Sequence, residues 1–162
     1  MKNAGILVLI GAVAILAVVL FQGERGPELA PDFSLVNLDG EVVTLSAFRG
    51  SVVILDFWAS WCHPCTVTFP AVHRLYERYA DQGVVLLVVS LDGSADDIRK
   101  GMEELGLPSG GILWGSLPEA RAVKKLYGVV GIPHTFLIDR DGYIRFDGYP
   151  RSLTAEDIES LL

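Results

Sequence analysis

Val52-Val53-Ile54-Leu55-Asp56-Phe57-Trp58-Ala59-Ser60-Trp61-Cys62-His63-Pro64-Cys65 contains both cysteines of a 162-residue chain, where an apolar run gives way to helical periodicity. Val52 to Trp58 is apolar apart from Asp56, the pattern of a strand buried on both faces. From Pro64 to Tyr79, the residues Phe69, Val72, Leu75, Tyr76 and Tyr79 recur at helical spacing, and Gln82-Gly83 stops the run. A thiol at such a strand-to-helix junction sits beside unpaired backbone N–H groups and the positive end of the helix dipole, which stabilise its thiolate. A second thiol three residues on is one helical turn away, within reach to close a disulfide once the first has attacked a substrate. The pair points to redox chemistry.

Outward from this junction, strands and helices alternate. On the N-terminal side, Phe33 to Leu38 and Glu41 to Leu45 flank Asp39-Gly40, a hairpin signal, and Ser46 to Gly50 reads as a short helical turn. On the C-terminal side, Val84 to Leu91 is a second buried strand, and Ser94 is placed to cap a helix over Ala95 to Leu105. A loop over Gly106 to Gly111, a short strand at Ile112 to Trp114 and a helix from Pro118 to Tyr127 ended by Gly128 follow. Thr135 to Ile138 and Tyr143 to Phe146 flank Asp141-Gly142 as a second hairpin, and Thr154 caps a last helix. This order implies a mainly parallel sheet covered on both faces and finished by an antiparallel hairpin.

Composition narrows the function classes. Twenty acidic residues stand against 13 lysines and arginines, and no basic stretch is interleaved with aromatics, which argues against a nucleic-acid partner. A structural zinc site needs about four ligands, and only His63, His73 and His134 are present to join one C-x-x-C. A purely structural disulfide is also disfavoured, because so short a loop gains little by closure. Asp139-x-Asp141-Gly142 resembles the start of a calcium loop, but Tyr143 stands where an oxygen ligand is needed, so a hairpin turn explains it better.

Ala4 to Phe21 carries no charge and as a helix would extend about 27 Å, close to the hydrocarbon thickness of a bilayer. Residues 1–22 are therefore expected to form an uncleaved transmembrane anchor, with a cleaved signal peptide as the rival. Lys2 ahead of this run places the N-terminus in the cytoplasm and the remainder outside. Residues 23–31, with Gly23, Gly26, Pro27 and Pro31, suit a linker, leaving 32–162 as the folded domain.

The run Asp56 to Cys65, Phe69-Pro70 after it, and Gly131-Ile132-Pro133-His134-Thr135-Phe136-Leu137-Ile138-Asp139 together resemble the thioredoxin superfamily. More narrowly, they resemble its membrane-anchored TlpA/ResA-like thiol-disulfide oxidoreductases. Ala30-Pro31-Asp32-Phe33, the hairpin at Asp39-Gly40 and the extra segment Asp92 to Gly115 match that group, so the likeness runs over about residues 30 to 150. The resemblance implies a thioredoxin-like α/β fold, a central mixed sheet flanked by helices, with an N-terminal β-hairpin and a central insertion.

Residue by residue, the resemblance makes Cys62 an exposed nucleophile, Cys65 the buried resolving thiol, and Pro133 a cis-proline facing the sulfurs. Ile132 would then pair its backbone with a bound peptide, and Trp61 would shield the disulfide. Asp56 matches the buried carboxylate of thioredoxin; desolvation would raise its pKa and let it take the proton of Cys65, the alternative being a core carboxylate bonded only to backbone. His63 and Pro64 between the cysteines, and His134 after the proline, are candidates for redox tuning, since a protonated imidazole nearby would stabilise the Cys62 thiolate; the alternative is two solvent-exposed loop histidines. Thr68 stands where such members often carry a glutamate, and His134 where they usually carry threonine.

The resemblance further implies no cofactor beyond the Cys62/Cys65 disulfide, protein disulfides as substrates, and a transmembrane thiol carrier as electron donor. Reduction of apocytochrome c during cytochrome c maturation is the family expectation, and oxidative folding is the alternative direction. Two other classes stay open: a thiol peroxidase, although the approach to Cys62 lacks the Pro-x-x-x-Thr/Ser-x-x-Cys pattern, and a copper(I)-handling module, although Met1 and Met102 are the only methionines.

Overall fold

A computed structural model describes residues 26–162. The membrane helix expected over 1–22 and the first residues of the expected linker lie outside the described residues. No helix among the described residues is long and apolar enough to cross a membrane.

Among the described residues, seven strands form two sheets. Strands β1 (Ser34–Val36) and β2 (Val42–Thr44) make the expected antiparallel hairpin, with Leu35 opposite Val43. The main sheet has β3 (Val52–Trp58) at its centre, β4 (Val84–Ser90) and the short β5 (Ile112–Leu113) on one side, and β6 (His134–Ile138) and β7 (Ile144–Gly148) on the other. All seven residues of β3 are buried, because neighbouring strands occupy both edges and helices cover both faces. Each large aliphatic side chain so buried contributes about 1.5–3 kcal/mol. The sheet is not mainly parallel: β3–β4 and β4–β5 are parallel, whereas β3–β6 and β6–β7 are antiparallel. The C-terminal hairpin joins the central strand directly, so half of the pairings reverse direction.

Among the described residues, four α-helices connect or flank these strands: α1 (His63–Tyr79), α2 (Ala95–Leu105), α3 (Leu117–Leu126) and α4 (Ala155–Glu159). The caps anticipated from sequence are present. Ser94 Oγ accepts from Asp97 N at the start of α2, and Thr154 with Asp157 forms a capping box on α4. Strand alternation sorts the central side chains. Trp58 meets Phe69 of α1 on one face, while on the other Phe57 and Phe136 pack with Tyr127, just past α3. The Tyr127 hydroxyl donates to Pro31 O at 2.8 Å, and Ala30 N donates to Gly142 O at 2.9 Å. The segment expected as a linker is thus already docked on the domain by Glu28, whose carbonyl accepts from Ile144 N.

Candidate redox site

Cys62 is the N-cap of α1, in extended conformation with φ −90° and ψ 96°. Its Sγ accepts from Cys65 N at 3.3 Å, so the sulfur occupies the position that a serine or aspartate oxygen takes at an ordinary N-cap. Pro64 sits in the first turn, where its missing N–H costs nothing, and no acidic residue lies in that turn. The orphan N–H groups and the helix dipole therefore act on the Cys62 sulfur without a competing local negative charge.

Cys62 and Cys65 are joined as a disulfide with Cα atoms 5.2 Å apart. Cys65 is fully buried. Cys62 is not the exposed residue the resemblance implied; it is 6% exposed, because its Sγ turns inward to cap the helix and lies 3.9 Å from Ile132 O. Trp61, by contrast, is 67% exposed and forms the wall beside the disulfide. The Ile132–Pro133 peptide is cis and Pro133 is buried. Cys62, Cys65, Trp61, Ile132 and Pro133, taken from separate parts of the chain, thus meet at one place.

Asp56 lies in β3 on the face that carries Trp58, toward α1. It is buried, and the Thr135 hydroxyl donates to its Oδ1 at 2.5 Å. Burial pushes its carboxyl up to about 7, with the Thr135 hydrogen bond acting in the opposite direction. Thr68, the departure from the glutamate of the resemblance, is buried in α1 and donates its hydroxyl to Pro64 O at 3.0 Å. That position is closed by a neutral, satisfied side chain, which leaves Asp56 as the buried carboxyl on this face of β3.

The histidines separate. His63 is exposed at the first residue of α1 and lines a small hollow with Ser60, Trp61 and Glu104. His134 packs on Phe136, on the sheet face opposite Thr135 and Asp56, and its Nε2 lies 2.6 Å from Asp147 Oδ1 on β7. His73, which the helical periodicity places on a packing or surface position, is buried between Phe69 and Tyr76.

One part of the site escaped sequence reasoning. Asp92, two residues past the end of β4, is fully buried beneath the turn that leads to Cys62. Its carboxyl group accepts from Ser60 N at 3.1 Å, Ser60 Oγ at 2.6 Å and Ser90 Oγ at 2.7 Å. The Trp114 indole N–H donates to Asp92 O at 3.3 Å, which gives this tryptophan of the inserted segment a structural role. Gly101 of α2 presses on the same turn: a Cβ there would stand 2.6 Å from Ser60 Cβ. The usable signal was the position of Asp92 at the carboxyl end of a central strand, where α/β sheets collect site residues. Replacing Asp92 with alanine strands two hydroxyls and a backbone N–H, and is expected to lower unfolding free energy by about 3 kcal/mol in urea titration. A loss below about 1 kcal/mol would mean that water or relaxation satisfies these donors.

Comparisons with known proteins agree with this geometry. Residues 27–147 match the AhpC/TSA family. The chain is 34% identical over 163 residues to the thiol-disulfide oxidoreductase ResA of Geobacillus kaustophilus (strain HTA426), covering 98% of this chain and 91% of that protein. The thioredoxin-like protein YneN of Bacillus subtilis (strain 168) is 33% identical over 142 residues, 86% of this chain and 80% of its own length. The solved thioredoxin domain of a thiol-disulfide oxidoreductase from Bacteroides vulgatus superposes with a TM-score of 0.71 at 27% identity, covering 85% of this chain and 95% of that one.

Proposed function

The chain belongs to the AhpC/TSA family of thioredoxin-like proteins, and on that premise we propose that this ResA-type thiol-disulfide oxidoreductase works as a membrane-anchored, extracytoplasmic reductant of protein disulfides. The observation that carries the reading is the Cys62 sulfur, which caps α1 through Cys65 N and faces the carbonyl of Ile132 beside the cis-proline.

In the reduced protein, the Cys62 thiolate attacks one sulfur of a substrate disulfide. A new S–S bond forms between that sulfur and Cys62 as the substrate S–S bond breaks, and the other substrate sulfur leaves as a thiolate. Asp56 takes the proton of Cys65, whose thiolate then attacks Cys62 Sγ and expels the second substrate thiolate. Two electrons pass to the substrate, and the Cys62–Cys65 disulfide remains. The Ile132 backbone offers an extended substrate segment a strand-like partner, and Trp61 covers the exchanging sulfurs from one side.

The positive environment of Cys62 in this reading comes from the α1 terminus, while the imidazole of His134 is engaged by Asp147. The uncharged run Ala4 to Phe21 supports the anchor, and Lys2 ahead of it supports the extracytoplasmic placement. A transmembrane thiol carrier would restore the dithiol, and apocytochrome c is the first protein disulfide to test as substrate.

Equilibrating the full-length protein against dithiothreitol or glutathione buffers, with a thiol-alkylation gel shift as readout, tests the direction of electron flow. A reductase is expected to lie near thioredoxin, about −270 mV. A value near about −120 mV would overturn the reductive direction in favour of disulfide insertion.

A further inference from the structure

Beside the disulfide runs an open groove of about 670 Å³, lined by Trp61, Leu91, the Val129–Ile132 loop and one face of α3. Its floor and rim are apolar, with Val130 95% exposed. Its charged residues are all cations: Arg121, Lys124 and Lys125. A chain with 20 acidic residues against 13 basic ones therefore brings three cations and no carboxylate to the groove next to its reactive sulfur.

The three cations are not equivalent. Lys124 Nζ donates to Val129 O at 2.7 Å and Val130 O at 2.8 Å, which ties the loop before Pro133 to α3. Arg121 and Lys125, one helical turn apart, are exposed, and neither forms an ion pair among the described residues. Across Trp61 the surface changes sign: the hollow toward α2 is lined by Asp97, Lys100 and Glu104. Trp61 thus divides a cationic bank from one with a net negative charge.

We propose that this groove selects protein disulfides whose flanking segment carries acidic residues, which Arg121 and Lys125 would receive on the α3 side of Trp61. The proposal rests on the disulfide-exchange reading of Cys62 and adds to it a charge class of partner. Apolar contact with Trp61 and Val130 would hold the segment, while the two unpaired cations would choose its sign and its direction across the site. Encounter with such a partner would be accelerated at low ionic strength, because cleft-lining charges raise the local concentration of the opposite charge.

The test uses the reduced full-length protein and two synthetic peptides that carry the same intramolecular disulfide and differ only in whether glutamates or lysines flank it. At low salt the glutamate peptide should be reduced about tenfold faster, and this ratio should shrink toward one in about 0.5 M salt. Charge reversal in the double variant Arg121→Glu, Lys125→Glu should invert the ratio, and the neutral pair Arg121→Gln, Lys125→Gln should bring it close to one. Equal rates with both peptides, or a ratio that neither double variant moves, would overturn the proposal. Uncharged hydroxyethyl disulfide separates the two readings. Wild-type protein that reduces it without distinguishing the peptides loses only the charge selectivity; wild-type protein that fails to reduce it loses the exchange chemistry as well.

Discussion

Protein carrying Cys62→Ser should lose thiol-disulfide turnover by about 10³-fold or more, the scale on which removing an enzyme's nucleophile acts. The Cys62 sulfur alone has the three features the first attack needs: a place at the helix N-terminus, a hydrogen bond from Cys65 N, and a neighbouring peptide, Ile132–Pro133, beside which a substrate can lie. Cys65 is fully buried and cannot meet a protein disulfide directly. Serine at 62 retains the cap but not the thiolate, so fold and stability should change little while activity vanishes. The complementary variant, Cys65→Ser, should stop one step later. Cys62 still attacks, but nothing expels the second substrate sulfur, and a mixed disulfide between protein and substrate accumulates on a non-reducing gel. Turnover by Cys62→Ser, or absence of the mixed disulfide in Cys65→Ser, would refute the assignment of the two thiols.

Asp56→Asn should change both the stability profile and the resolving step. In the oxidised protein the Asp56 carboxyl is held at about 7 by burial, against 3.8 in an unfolded chain. Above the lower value the unfolded carboxyl ionises while the folded one keeps its proton, so the native state binds more protons and stability falls as pH rises toward 7. That gap corresponds to a loss of about 4 kcal/mol once both forms are ionised. Asparagine keeps an oxygen for the Thr135 hydroxyl and cannot ionise. The stability difference between variant and wild type should therefore grow by about 4 kcal/mol in favour of the variant between pH 4 and pH 8, read from urea midpoints. Parallel profiles would show that Asp56 is not the titrating group. In the reduced protein, decay of the mixed disulfide should slow by about 10²-fold and lose its inflection near neutral pH, since the acceptor for the Cys65 proton is gone. A variant that resolves at the wild-type rate would leave Asp56 with a structural role only.

Much of the scaffold was legible because local signals and tertiary packing agree here. The apolar run at Val52 to Trp58, the Asp39-Gly40 and Asp141-Gly142 turns, and the caps at Ser94 and Thr154 each specify their element over a few residues. The sheet's mixed character was less legible, since periodicity reports that a strand is buried and not which neighbour buries it. Asp92 went unread for a related reason. A lone aspartate after a strand resembles a loop residue, and only the approach of Ser60, 32 positions earlier, shows that it holds the turn before Cys62.

By itself, then, the sequence determined the strand-to-helix junction at Cys62-His63-Pro64-Cys65 and the order of elements, because these depend on residue type and short spacing, while Asp56 and Ile132-Pro133 came as candidate partners from the resemblance to thioredoxin-like oxidoreductases. Tertiary structure alone decided that Cys62 turns inward toward Ile132 O, that His134 is held by Asp147, that Asp92 buttresses the active turn, and that three cations of α3 line the groove beside Trp61. Each of those facts joins groups far apart in the chain. Their energies depend on the distance, burial and field set by the closed fold, which short-range patterns do not encode.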